Sequence, residues 1–257
     1  MKHTPPTASA ADLFDQSPRE SPFPYRDYVA ASNALLAAIR KGPFYALVTG
    51  ETGTGKTTLP REISQKLDRG YKILYLSSSS VSPPGVSNFL AESLRVAPRR
   101  SHVQTAKAIA DVLKAEPVHH IFWVDQADKA SQESLTVVLA LAEGDLAVPQ
   151  LLSVVFSGLP ELRTALDARE LFPLKRRITV RCTLAGLARD EVDAFLVHRL
   201  GGAAAQRLPV ATKDEIFERA KGSPALVAKA ARTVLERMGE GPGNEDTLRE
   251  GIHDAGL

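Results

Sequence analysis

The run Gly50, Glu51, Thr52, Gly53, Thr54, Gly55, Lys56, Thr57 and Thr58 constrains the fold more than any other part of this chain. It has the form G-x-x-x-x-G-K-[ST], and its flanks suit that form. Residues 44–49, Phe-Tyr-Ala-Leu-Val-Thr, read as a short buried strand. Residues 58–67 read as a helix, with Pro60 tolerated in the first turn, where a missing N–H breaks no helical hydrogen bond. Glycines let the backbone wrap closely round phosphates with its N–H groups turned inward. Lys56 reaches the β- and γ-phosphates, the Thr57 hydroxyl ligates Mg²⁺, and the helix N-terminus adds the positive end of its dipole. Strand, loop and helix in this order predict a site for ATP and Mg²⁺ in which all the residues from 50 to 58 line the phosphates.

A second strand completes the pattern. His119-His120-Ile121-Phe122-Trp123-Val124-Asp125 is an apolar run ending in an acid. An Asp at the carboxyl end of such a strand holds the Mg²⁺ shell in P-loop proteins, and strand ends are where parallel sheets bind ligands. Asp125 therefore joins Thr57 as a predicted metal-site residue. His119 and His120 read as a solvated entry to the strand, since no third His or Cys stands at ligand spacing.

The remaining composition sets bounds. The 257 residues suffice for one large or two modest domains, and 44% hydrophobic with 24% charged is ordinary for a soluble protein. A net charge of +2 gives no global attraction to a polyanion, so a nucleic-acid surface must be a local patch. The single cysteine, Cys182, forms no internal disulfide and suits a reducing cytoplasm. No secretory leader and no membrane-length apolar run is visible, which predicts a cytoplasmic protein without a membrane partner.

Along the chain, residues 1–26 read as a Pro-, Ser- and Thr-rich flexible arm with Leu13-Phe14 and Phe23 as anchor points. Residues 27–182 alternate helices with strands, which predicts an α/β domain with a parallel sheet flanked by helices. After Cys182 the strand pattern stops, and residues 183–257 read as a small all-helical lid. The predicted strands are 45–49, 72–76, 119–125, 151–157 and 178–182; helices are predicted near 28–41, 86–96, 104–114 and 132–142, and in the lid at 190–200, 212–220, 224–238 and 245–255.

The order of these parts resembles the AAA+ ATPases, in the branch that contains the ExeA-type ATPases and the ATPases of bacterial and phage transposition. Residues 21–23 (Ser-Pro-Phe) resemble that branch's lead-in, and residues 49–58 its P-loop. Residues 157–162 (Ser-Gly-Leu-Pro-Glu-Leu) resemble its segment after the fourth strand, 175–178 with 184–187 its passage into the lid, and Gly222-Ser223-Pro224 its lid helix. The resemblance implies a P-loop NTPase of the AAA+ type. It implies self-association as a ring or helical filament, double-stranded DNA as ligand and a transposase as partner. The alternatives are an ExeA-type secretion or envelope-assembly ATPase, and a nucleotide-gated adaptor that does not bind DNA. ExeA proteins, on that resemblance, carry a membrane span and a peptidoglycan-binding region after the ATPase. This chain ends at Leu257 with neither, which tilts the expectation towards transposition.

The resemblance also assigns roles. Ser157 stands where a polar side chain senses the γ-phosphate or places the attacking water; a strand-end Ser satisfied by backbone is the alternative. Arg177 matches the arginine offered to a neighbouring subunit's nucleotide, with Arg176 as alternative and a solvated basic turn as the plain reading. Two positions depart from the pattern. Gln126 stands where a Glu acts as base towards water, and a carboxamide cannot take the proton. Since general-base catalysis is worth ~10²–10⁴-fold, hydrolysis is expected to be slow unless another group serves, the candidates being Asp128 and Glu51. Ala225 stands where a lid arginine is expected, with Lys221, Lys229 and Arg232 as substitutes. For duplex DNA, the cations with no acid between them are Arg95, Arg99, Arg100 and Lys107; Arg99, Arg100 and Lys107 are the expected phosphate contacts. A solvated interhelical loop would have the same composition.

Overall fold

The computed structural model describes residues 21–77, 82–97, 99, 101–143, 150–239 and 245–257. The chain clusters into two compact units. The first comprises Ala31–Thr49 and Lys56–Cys182, and the second Ser21–Ala30, Gly50–Gly55 and Thr183–Leu257, with residues 1–20 outside the described residues.

In the first unit the elements run in order. Helix α1 (Arg26–Lys41), whose first residues belong to the second unit, precedes β1 (Tyr45–Gly50), α2 (Leu59–Lys66), β2 (Tyr71–Ser77), α3 (Pro83–Ser93) and α4 (His102–Ala115). Then come β3 (His119–Asp125), α5 (Gln132–Ala142), β4 (Ser153–Gly158), α6 (Glu161–Ala165), α7 (Phe172–Arg177) and β5 (Ile178–Leu184). The five strands form one sheet in the order β2-β3-β4-β1-β5, and the pairs β2–β3, β3–β4 and β1–β4 are parallel. Every residue of β1 and β4 is buried, as expected for central strands covered on both faces by crossover helices. Because β1 and β3 both neighbour β4, the phosphate loop after β1 and the acid ending β3 emerge at the same edge of the sheet.

Several sequence expectations need correction. Helix α3 starts at Pro83 and ends at Ser93, rather than running from 86 to 96. Prolines fit the first turn of a helix, where no N–H partner is needed, and the Ser82 side chain caps it by accepting from the Gly85 N–H at 3.4 Å. The left-handed Arg95 (φ 56°) stops it, with the Val96 N–H returning to the Ala91 carbonyl at 2.7 Å. The strand entry is not solvated. His120 is 1% exposed, its Nε2 lies 3.1 Å from the Glu116 carboxylate, and burial pushes its imidazole below the usual histidine range. Helices α6 and α7 had no counterpart among the sequence expectations.

The second unit is helical: α8 (Val192–Leu200), α9 (Gly202–Arg207), α10 (Val210–Ala220), α11 (Pro224–Met238) and α12 (Glu245–Asp254). Its core gathers Val192, Phe195, Leu196, Leu208, Ile216, Val227, Ala230, Val234 and Ile252. The buried Lys213 ammonium reaches Asp193 at 2.8 Å, and together with Arg189 it holds that carboxyl below its ordinary range. Of residues 21–26, expected at the end of a flexible arm with Phe23 as an anchor point, Phe23, Tyr25 and Arg26 make defined contacts. Phe23 meets Phe195 edge-on at 5.5 Å, Arg26 pairs with Asp190, and Tyr25 is 2% exposed. The anchor residues Leu13 and Phe14 lie outside the described residues.

Candidate nucleotide site

The strand β1 delivers the chain into a series of turns from 52 to 58, and α2 starts only at Leu59. Lys56, Thr57 and Thr58 therefore precede the regular helix, which starts one residue later than predicted. Gly53 (φ +82°) and Gly55 (φ +94°) occupy the left-handed region, which explains why the loop needs glycine at both.

The loop's own carbonyls are occupied. Within the second unit, the Tyr25 hydroxyl donates to the Thr54 carbonyl at 2.6 Å, and the Ser223 hydroxyl to the Thr52 carbonyl at 3.0 Å. The Ala225 N–H reaches the Gly53 carbonyl at 3.3 Å, and the Thr54 hydroxyl the Glu51 carbonyl at 2.8 Å. These bonds engage the carbonyls of residues 51–54 on protein donors, and the Thr54 N–H itself turns to the Glu51 carbonyl at 3.4 Å. Burial, followed by the charges of Asp27 and Glu191, drives the Tyr25 phenol well above its ordinary pKa, so it stays a donor. None of Tyr25, Ser223 and Ala225 was singled out as a loop contact by sequence reasoning; their partners lie far away in the chain.

In the first unit, Asp125 is 1% exposed and accepts from several directions. The Thr57 hydroxyl donates to Oδ2 at 2.8 Å and the Tyr75 hydroxyl to the same oxygen at 2.6 Å. Ser157 donates to Oδ1 at 2.7 Å, and the Gln126 N–H reaches it at 3.0 Å. Ser157 in turn accepts from the Trp123 indole at 2.8 Å, and its hydroxyl also lies 3.5 Å from the Val124 carbonyl, the kind of backbone partner considered above. Tyr75 went unnoticed because it reads as one more residue of a half-buried strand. Burial and the hydrogen bond to Asp125 raise its phenol far above the ordinary tyrosine range.

The position after Asp125 is unusual. Gln126 adopts φ 53°, and its side-chain oxygen accepts from the Lys129 ammonium at 2.8 Å. Asp128 is held by the Leu159 N–H at 3.0 Å, against Gly158, where any Cβ would collide with its carboxylate. The Arg177 guanidinium pairs with Glu143 and reaches the Pro173 carbonyl at 3.3 Å, whereas Arg176 stacks over the exposed Phe172 ring at 5.8 Å. Nearby charge from Glu143 adds to burial in pushing the Tyr45 phenol up to about 12. In the second unit Ala225, Lys221, Lys229 and Arg232 are all exposed, and Lys221 is a left-handed helix cap (φ 49°).

Of the expected DNA contacts, Arg99 and Lys107 are exposed, and Arg100 lies outside the described residues. The Arg99 N–H is fixed by the Thr105 hydroxyl at 3.0 Å. The exposed Arg95 lines a surface cavity with Glu92, the acid three residues before it in the chain.

The parallel sheet, its strand order and the loop after β1 give this chain the P-loop NTPase fold of the AAA type. The family model described as an AAA domain matches residues 40–166. The chain is 28% identical over 173 residues to the general secretion pathway protein A of Aeromonas hydrophila. That match takes in 65% of this chain but 31% of the relative's length. Among solved structures, the ORC2 protein of Aeropyrum pernix in its ADP form superposes with a TM-score of 0.67 at 15% identity, over 94% of this chain and 72% of that one. The Aeropyrum pernix ORC1 protein in complex with DNA gives 0.59 at 17% identity, over 93% and 67%. A Walker-type ATPase of Pyrococcus abyssi gives 0.57 at 14%, over 95% and 75%. The solved structures show the fold, and the domain match places an AAA domain over residues 40–166. Among the described residues no helix is long and apolar enough to cross a membrane.

Proposed function

We propose that this chain is an ATP-binding, slowly hydrolysing AAA+ ATPase that assembles with itself as a ring or filament on double-stranded DNA when ATP is bound, and so regulates or recruits a transposase. The observation that carries the nucleotide reading is the 2.8 Å hydrogen bond from Thr57 to Asp125. It joins the phosphate loop's hydroxyl to the acid of the third strand, the two residues that would hold Mg²⁺. That ion, when bound, would neutralise charge developing on the β- and γ-phosphates. Lys56 and the amides from Gly50 to Thr58 bind and orient the phosphates. Ser157 keeps Asp125 in place beside them. Gln126 can orient water but accept no proton, which makes turnover slow, and Arg177 supplies positive charge to a neighbouring subunit's nucleotide.

The DNA half of the reading rests on Arg99, Arg100 and Lys107 and on the transposition-type order of motifs. ATP-driven assembly would let many weakly basic patches engage one duplex, so that avidity replaces bulk charge. The likeness to secretion protein A favours a second reading, in which the same ATPase cycle serves secretion or envelope assembly and DNA is not bound.

Calorimetric titration with a non-hydrolysable ATP analogue and Mg²⁺ tests the nucleotide half: wild type binds and Lys56→Ala does not, because amides alone cannot replace the ammonium. Equal affinity in the two proteins overturns it. Electron microscopy with ATP, with and without duplex, tests the rest. Assemblies that form on DNA support the first reading, and assemblies indifferent to DNA the second.

A further inference from the structure

Tyr75 and Asp125 sit on adjacent strands. In the parallel β2–β3 register Tyr75 lies opposite Trp123, so their side chains share a face of the sheet. Asp125, two residues further along β3, is on that face as well. The long phenol spans the offset and donates to Asp125 Oδ2 at 2.6 Å, the oxygen that also accepts from Thr57. The other oxygen is held by Ser157 at 2.7 Å. A buried carboxylate with one oxygen fixed is still free to reorganise at the other. Donors on both oxygens remove that freedom.

Thr57 has divided duties in the nucleotide reading, since its oxygen is also wanted by the metal. The Tyr75 hydroxyl is not wanted by the metal in that reading, and its bond to Asp125 needs no nucleotide. We propose that Tyr75 is a positioning residue of the metal site: it pre-sets the Asp125 carboxylate, so that Mg²⁺ meets an oriented acid instead of having to turn it. This rests on the ATP reading above and adds to it a residue that the motifs do not contain. Because the role is exerted through Asp125, its signature is in the metal dependence of binding and not in nucleotide binding as such.

The variant is Tyr75→Phe, which keeps the ring in the sheet and removes only the hydroxyl. The probe is a fluorescent ATP analogue titrated with Mg²⁺, and separately in EDTA. The Mg²⁺ midpoint is expected to rise roughly tenfold in the variant, the scale of removing one hydrogen bond to a charged group, while affinity in EDTA stays at the wild-type value. The unchanged EDTA affinity also shows that the phosphate loop is folded. An unshifted midpoint overturns the role of Tyr75 and leaves the ATP reading standing. An equal loss of affinity with and without Mg²⁺ overturns it too, since it would mark Tyr75 as packing alone. Wild-type protein that binds no nucleotide with Mg²⁺ present overturns the ATP reading itself.

Discussion

The Arg177 guanidinium is paired with the Glu143 carboxylate, at the junction of α7 and β5 and within a single subunit. Both side chains are substantially exposed, 43% and 37%, and an ion pair so placed is worth about 0–1 kcal/mol. Arg177 is held within its own chain, in a pair that would be weak enough to open if a neighbour's phosphate were offered. If it acts in trans, specific activity rises steeply with protein concentration, and Arg177→Ala lowers it at least ~10-fold, arginine fingers being worth 10³–10⁵ in other enzymes. Glu143→Gln, which releases the arginine, shifts the rise to lower concentration. Phosphate release across a dilution series measures both, and a flat specific activity points to a monomeric switch.

Gln126→Glu is expected to accelerate hydrolysis, by up to ~10²–10⁴-fold if a base is the missing component. Lys129 complicates the gain. It already holds the Gln126 side chain at 2.8 Å and would hold a carboxylate more firmly. Adding Lys129→Ala should therefore raise the rate further. Single-turnover measurements with both variants check this; an unchanged rate in both would place the base at Asp128 or Glu51, or make another step limiting.

Duplex binding should be ATP-dependent and indifferent to sequence. The double substitution Arg99→Ala with Arg100→Ala is expected to weaken it on all sequences alike. It should also flatten the salt dependence, by ~1 in slope for each phosphate that is no longer neutralised. Fluorescence anisotropy on unrelated duplexes, across a salt series and with and without ATP, reads this directly. Lack of binding in ATP at low salt moves the assignment to the secretion reading.

Burial of His120 has a consequence for acid stability. Its imidazole titrates below the ordinary histidine value of 6.5 in the folded chain, chiefly through desolvation, with Lys72 and His119 acting in the same direction and Glu116 against them. Between the folded value and 6.5 the unfolded chain holds more protons. Stability is therefore complete above the ordinary value and falls as pH drops through the folded one. Melting curves between about pH 8 and 5 should show this fall, and His120→Gln should reduce it by several degrees. An identical pH profile in the variant would falsify the assignment to His120.

Much of this was legible in linear order. The strand ending in Asp125 and helices α5 and α11 carry long apolar patterns, and the structure gives them their expected limits. The phosphate loop is local, so its identity needs only its own residues. The helices of five or six residues, α6, α7 and α9, are too short for a helical period to register. Tyr75 was hidden for another reason: its bond to Asp125 depends on the register of strands far apart in the chain. The bonds from Tyr25, Ser223 and Ala225 to the phosphate loop were hidden in the same way. What stays invisible in one sequence is contact between distant segments that each look ordinary alone.

Gly53 and Ala225 carry that lesson into evolution. A Cβ added at Gly53 would come within 2.7 Å of both the Ala225 Cβ and the Ser223 hydroxyl, while the backbones of 53 and 225 are already hydrogen-bonded. The two positions thus share one allotment of space, and position 53 cannot grow unless the segment from 223 to 225 retreats. Among descendants of this chain, a substitution at 53 should be inherited together with one in that segment. A lineage that gains a side chain at 53 should also have rebuilt the turn from 222 to 224, leaving in its alignment a trace of the phosphate loop far from the loop itself.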